Sequence, residues 1–569
     1  MSRPTTRAEQ VRFNRLVRHF VHRFVDHELV AAGGELHQVF VTAIALLGGF
    51  GFTLTLILCA RHFFLSEKLS QATRQAILAS DQMTLLLLIM AATGFFVVLG
   101  WDALFTDRRD AFILGSLPIP TRVIFEAKLY AILLFFFLLV TAMQIFPAIP
   151  LPVVMFPGHM IRGIGVQAFV LTAAAGFIFF GAMALQGVLL ALLSYARFRQ
   201  ISALLQICTL LASFGVVFLT PDLAHAVGGA VNWTYWLPSY WFLALWQGMM
   251  DQPPLLDSGL AARALWSLSA AASIAFLTFA GGYRRAMRKA VEGQEEAPAG
   301  PGPIHHALRK LLNFALLRDQ RESAIFWFTW RTISRHRGHR LLLAVYIGLG
   351  LSWVLTEASN MTNSGFTARS LRPDPVTCTI PLDLAFFLLA GLRVLFTLPV
   401  ELRANWMFRL TAGERPPAVE SGTRKFLIFA VIVPLALLAL PVYLQAWGWR
   451  NTLLHTWFYA LETALLLEIL MRQFHKIPFT CSWLPGQANL KVRLGVYFIL
   501  FGFISSMAGV LEAGILTNFR PQPAIWFSTI LLAFTAWYRW RRHQFSQEPW
   551  AITFEELPDV AVRGLNLAR

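Results

Sequence analysis

The chain has 569 residues, of which 56% are apolar and 14% charged, with 49 Phe, 18 Trp and a mean hydropathy of +0.58. Soluble globular chains carry about 25% charged residues. The composition therefore excludes a disordered chain, a disulfide-stapled secreted scaffold and an ordinary cytosolic enzyme. Apolar runs of about 20 residues recur along the sequence, so lipid is the solvent and the fold class is an all-α polytopic membrane protein. Lys and Arg total 48 against 31 Asp and Glu, a surplus of 17.

Residues 1–38 form a basic lead-in. Phe13, Leu16, Phe20 and Phe24 recur at helical spacing opposite Arg12, Arg15, His19, His22 and Arg23. That pattern predicts an amphipathic helix lying in the interface plane against anionic lipid. The first apolar run starts only near Val39 and has no small-residue cleavage site after it, so it is not a signal peptide. Runs at 39–60, 84–104, 129–150, 164–193, 201–219 and 264–282 make a first six-span half over 39–290. The stretch from Asn232 to Met250 is crowded with Trp and Tyr and broken by Pro238, the composition of an interfacial helix lying flat.

Residues 291–340 are a linker. The Gly/Pro-rich EGQEEAPAGPGP from Glu292 to Pro303 reads as a joint. After it, Leu308, Leu311, Leu312 and Ala315 beside Arg309 and Lys310 predict a second amphipathic helix. Runs at 341–356, 381–399, 427–447, 457–474, 494–512 and 524–538 make a second half over 341–541, followed by a tail at 542–569. With the N-terminus in the cytoplasm, 38 Lys/Arg fall in cytoplasmic segments, nine in the opposite ones, and Arg393 inside a span. This positive-inside bias places both termini in the cytoplasm and accounts for much of the surplus charge, so no nucleic-acid partner is expected.

Few motifs carry chemistry. Cys59, Cys208, Cys378 and Cys481 are far apart and read as buried free thiols. His19 with His22, and His336 with His339, have i, i+3 spacing but lie among arginines, so no metal site is expected. No GxSxG, HExxH or Walker A pattern occurs, and no Lys follows a Gly. Charges inside spans are costly unless paired or in a wet cavity. Arg393, Glu462 and Glu468 are therefore candidate site residues, and depth counted along the spans pairs Arg393 with Glu468 rather than Glu462. Asp102, Glu126, Glu401 and Glu512 fall near span ends, where snorkelling suffices.

After the second span comes WDALFTDRRDAFILGSLPIPTRVIFEAKLYAILLFF, from Trp101 to Phe137. It holds a charged exit at Asp107–Asp110, a short apolar helix, a Pro118-x-Pro120 break and a basic lead-in from Arg122 to Lys128. This resembles the loop between spans two and three in permeases of type-2 ATP-binding-cassette (ABC) exporters. Gly181–Gln206 is similar to the tight turn between their spans four and five, and Trp236–Gln247 to the aromatic helix before span six. Glu401–Ile432 occupies the equivalent slot in the second half, with a break at Pro416 and Pro417, but lacks the SLPI core. The resemblance implies helical hairpins at 107–128 and 403–425, parallel to the membrane on the face of the termini. It implies two separate ATPase subunits docked beneath them, with coupling residues Arg108, Arg109, Leu117, Pro118, Arg122, Lys128, Arg409, Arg415, Arg424 and Lys425. It further implies a multi-pass protein of the bacterial plasma (inner) membrane, no catalysis and no cofactor in this chain, and room for accessory exporter components. The alternatives are an ion-coupled secondary transporter and an integral-membrane lipid or sugar transferase.

Overall fold

A computed structural model of the chain describes residues 7–25, 36–65, 70–104, 114, 117, 119–225, 227, 235–253, 256, 259–292, 303–361, 373–400, 405–412, 416–471, 474, 476–480, 490–518 and 520–545. All regular structure among them is helical. Hydrocarbon offers no water to a free N–H or C=O, so a spanning segment must satisfy its backbone internally.

The chain divides into two compact units, 1–298 and 299–569. The first contains α1 (Arg7–Val25), α2 (Leu36–Leu65), α3 (Gln71–Leu99), α4 (Trp101–Leu104), α5 (Thr121–Ala148), α6 (Pro150–Met155), α7 (Met160–Leu192), α8 (Tyr195–His225), α9 (Pro238–Met249) and α10 (Gly259–Glu292). The second contains α11 (Pro303–Ala315), α12 (Gln320–Arg335), α13 (Arg337–Met361), α14 (Pro375–Leu395), α15 (Asn405–Ala412), α16 (Pro416–Leu427), a wide π turn at Ile428–Ile432, α17 (Val433–Leu470), α18 (Leu490–Thr517) and α19 (Pro521–Phe545).

Nine helices among the described residues are long and apolar enough to cross a membrane, where the sequence predicts twelve spans. The element over Ala418–Leu470 is 53 residues long, yet it cannot be one straight rod. Gly448 has φ 78° and ψ 167°. That conformation is open essentially to glycine alone. Beyond it the chain folds back. Tyr459 Oη donates to the Ile432 carbonyl at 3.2 Å. A straight helix would hold those two positions about 40 Å apart. The stretch is thus a hairpin with two arms, lying over two of the expected runs.

Helices also begin earlier than hydropathy indicates. Ser70 caps α3 by accepting from the Thr73 amide, well ahead of the expected start of the second span at Thr84. Asp374 caps α14 through a reciprocal capping box with Thr377. Polar first turns are helical but register as loop on a hydropathy scale.

In the first unit α3 is central, packed by α7, α8 and α9. Phe95 meets Phe214 edge-on at 5.9 Å, and Trp101 Nε1 donates to Ser202 Oγ at 2.7 Å. The aromatic helix α9 is covered by protein rather than exposed. Tyr240, Phe242, Leu243, Trp246 and Gln247 are buried against α3, α7 and α10. Trp246 Nε1 donates to Gln167, whose amide donates to Gln82, each at 2.9 Å. A helix of this length reaches only about 18 Å, too short to span. Its indole donor is satisfied better by a buried amide than by the interface. At one end of α9, Arg162 bridges Asp251 at 2.6 Å and holds its carboxyl below the usual carboxylate range, first by that hydrogen bond and then by charge.

The lead-in helices also differ from expectation. Leu16 and Phe20 of α1 are buried in the same core as α5, so that face is covered by protein rather than lipid. In α11 Leu311 and Phe314 are exposed, whereas Leu312 of the expected apolar face is buried in the core of the second unit. The thiols are not uniformly buried either: Cys378 is buried, Cys59 half-buried and Cys208 exposed, while Cys481 lies outside the described residues.

In the second unit α14 is central, packed by α13, α17 and α18. Phe386 stacks on Phe501 with centroids 3.9 Å apart, and Ser505 Oγ donates to Asp383 at 2.8 Å. The hairpin provides a direct test. A Cβ at Gly448 meets nothing within 4 Å, so Gly448→Ala isolates the backbone cost. It should destabilise by about 1–3 kcal/mol, read as a lower midpoint in detergent thermal unfolding. Gly502→Ala, in a helix with equal space, should not lower it.

Candidate functional site

Two polar sites lie in the second unit: a charged latch where α12, α16, α19 and the end of α17 meet, and a buried cluster deeper in the bundle.

The latch starts from sequence. Asp319 and Glu322 open α12 with the Asp-x-x-Glu spacing of a helix start, and Asp319 accepts from the Arg321 amide at 2.9 Å. Ile325, Phe326, Trp327 and Thr329 then form a buried face against α16. Gly422 permits the approach: a Cβ there would sit 2.8 Å from the Glu322 carbonyl oxygen. Across this contact Lys425 is ion-paired to Glu322 and donates to the Leu316 carbonyl at 2.9 Å. One helical position earlier, Arg424 pairs with Glu420 at 2.9 Å and makes a two-pronged contact to Glu468, at 2.9 and 2.5 Å. Glu468 also accepts from Arg539 of α19 at 3.0 Å. One carboxylate thus ties three helices.

This arrangement corrects the expected Arg393–Glu468 pair. Arg393 points into the protein, but its Nε donates to the Leu470 carbonyl at 3.1 Å and its guanidinium lies 4.8 Å over the Phe474 ring. The depth count fails because α14 begins at Pro375, which puts Arg393 in the last turn. It fails again because the second arm begins just after Gly448. From there Glu462 is about 21 Å along and Glu468 about 30 Å, so Glu468 lies a full hydrocarbon thickness from the reversal.

The expected coupling residues separate into distinct groups. Arg108, Arg109, Pro118 and Arg415 lie outside the described residues, as does the side chain of Arg409 in α15. Leu117 is exposed, and Arg122 is exposed and paired to Glu126 at 3.0 Å. Lys128, Arg424 and Lys425 turn inward. Lys128 is 2% exposed with its Nζ 5.6 Å from the Phe20 ring centroid of α1. These three side chains bind the lead-in helices together rather than facing out. Hydropathy does not reveal α12, though its Asp319-x-x-Glu322 start and apolar stripe are signals of a helix.

The deeper cluster holds Asp383, His455, Glu462 and Glu512, all of them buried. His455 Nδ1 and Glu512 Oε1 are 2.7 Å apart. Tyr443 and Trp447 stack at 4.2 Å, each edge-on to His455. Glu462 Oε1 has no hydrogen-bond partner among the described residues. Glu512, expected to snorkel, is instead buried and paired, because its partner comes from a different helix. Glu401 and the side chain of Asp102 lie outside the described residues. His336 and His339 contact each other through Nδ1 at 2.5 Å, and His339 also meets the Leu398 carbonyl at 3.1 Å.

No protein-family model, curated protein or solved structure matches the chain.

The latch yields a coupling test. Removing either partner of Arg424–Glu468 leaves the other with one remaining ion pair, Arg539 on Glu468 or Glu420 on Arg424, and should cost about 1–3 kcal/mol. A double-mutant cycle of Arg424→Met with Glu468→Gln should show strong coupling, whereas Arg393→Met with Glu468→Gln should be additive within about 0.5 kcal/mol. Thermal unfolding of the single and double variants and the parent measures both.

Proposed function

We propose that this protein is the permease of an ABC-type exporter in a bacterial inner membrane, with twelve spans in two halves and cytoplasmic termini. Separate ATPase subunits would dock beneath the segments 107–128 and 403–425 and supply the energy, and this chain makes and breaks no bond. The observation that carries the reading is a repeated clasp. In each unit the amphipathic helix ahead of the spans packs on the helix that leads in after the proline break: α1 on α5, and α12 on α16. A push on the surface segment would then move a span rigidly, which is what conversion of ATPase closure into transport demands. Arg122 and Leu117 remain outward for docking, while Lys128, Arg424 and Lys425 transmit.

The test is retention of an ATPase through purification of the full chain, followed by ATP-dependent transport in vesicles. Glu322→Gln and Lys425→Met should keep ATP hydrolysis by the complex but lower transport about tenfold or more, since each leaves the partner charge unpaired. Failure to recover any ATPase, with transport unaffected by ATP, overturns the reading.

A second reading, an ion-coupled carrier, is favoured by the buried Asp383, Glu462 and Glu512–His455 cluster, because intramembrane carboxylates mark proton and cation pathways. The two predict opposite responses to an uncoupler at constant ATP. Transport persists for the exporter and stops for the carrier, and only in the carrier does Glu512→Gln remove gradient dependence while the fold survives.

A further inference from the structure

The second unit contains a cavity of about 830 Å³ between α13, α14 and the first arm of the α17 hairpin. Its walls run from Arg340 to Val354 and from Phe426 to Tyr443. Those stretches measure about 21 Å and about 26 Å along the helices. Nearly all the lining is aliphatic or aromatic, as at Leu343, Ile347, Leu384, Leu388 and Leu435. The polar groups are unevenly placed. Tyr443, at the Gly448 end, donates its hydroxyl to the Thr377 carbonyl at 2.7 Å. At the other end stand Arg340 and Ser334. Among the described residues, Arg340 Nε is buried without a hydrogen-bond partner and no carboxylate lines the cavity.

We propose that this cavity binds one anionic glycerophospholipid, with an acyl chain along the slot and the phosphate on Arg340. The slot is longer than the roughly 15 Å of one leaflet's hydrocarbon, leaving room for chain and glycerol together. Its volume falls within the range of about 300–1,000 Å³ typical of small-molecule sites. An apolar wall accounts for a chain of any lipid. The anionic head follows from Arg340: a desolvated guanidinium donor without an acceptor is costly, and its planar fork matches phosphate oxygens. A zwitterionic head would bring its own cation to the same place. This site does not depend on the energy source of transport.

The test uses the full chain, delipidated in mild detergent and supplied with dioleoyl phosphatidylglycerol or dioleoyl phosphatidylcholine. Bound lipid is counted by native mass spectrometry. The parent protein should retain about one phosphatidylglycerol per chain, about tenfold over phosphatidylcholine, the ratio that one charged hydrogen bond supplies. Arg340→Gln should remove that preference, and Leu384→Trp should fill the slot and lower retention of both lipids. Arg331→Gln, at an exposed arginine on α12, should change neither. Equal retention of the two lipids by the parent overturns the proposal, as does an Arg340→Gln protein that stays monodisperse and keeps the preference. If the cavity variants do not fold, the parent's thermal midpoint decides: it should rise more with phosphatidylglycerol than with phosphatidylcholine, and an equal rise overturns the site.

Discussion

A charge buried between packed helices must meet another charge, a backbone carbonyl or a ring face, and the second unit is organised around that constraint. Glu468 shows it best. Standing at the end of the α17 hairpin, it draws Arg424 from α16 and Arg539 from α19 onto one carboxylate. Arg424 in turn holds Glu420, and its neighbour Lys425 holds Glu322 of α12. Four helices are positioned by one chain of ion pairs. Because Glu468 and Arg424 are mostly covered by protein, leaving either unpaired is expensive, and the exposed Arg539 adds to the set from its edge.

The first unit meets the same constraint with a buried carboxylate, Asp81, bridged by Arg61 at 2.7 Å and His62 at 2.9 Å, and with neutral groups. Gln82, Gln167 and Trp246 join α3, α7 and α9 in a relay of amide and indole hydrogen bonds, and Gln186 donates to the Trp101 carbonyl at 3.3 Å. Such groups keep their hydrogen bonds over the whole physiological pH range and are little screened by salt. Lys128, buried at the α1–α5 contact, holds its Nζ over the Phe20 ring of α1.

The broad fold is legible because lipid solvation writes itself into composition: long apolar runs and flanking arginines need no tertiary information. What cannot be read are the facts set by distant partners. Glu512 reads as a span-end carboxylate, and nothing near it in sequence announces His455. Depth alone matches Arg393 with Glu468, but the count depends on where helices begin, and Asp374 and Gly448 set those points. Trp246 reads as an interfacial aromatic because its acceptor, Gln167, lies in a different helix. Pattern locates an element well, whereas pairing between distant helices must be seen.

The hairpin at Gly448 shows how a local rule becomes architecture. Two apolar arms in succession need a reversal, and this one occurs within a single residue. The turn has φ 78° with ψ 167°. Glycine alone accepts that region cheaply, so the turn needs no polar loop. The consequence is geometric. His455 and Tyr443 are brought to 4.7 Å across the two arms, and the Glu512 partner is placed beside them. At the opposite end of the second arm, about 30 Å from the reversal, the same turn sets Glu468 level with Arg424. One glycine thus fixes the register of both polar sites. A shift of one residue in the second arm would turn Glu468 by about 100° around its helix and part it from both arginines. The deep cluster and the surface latch are coupled through the rigid length of one helix, whichever source of energy drives the unit.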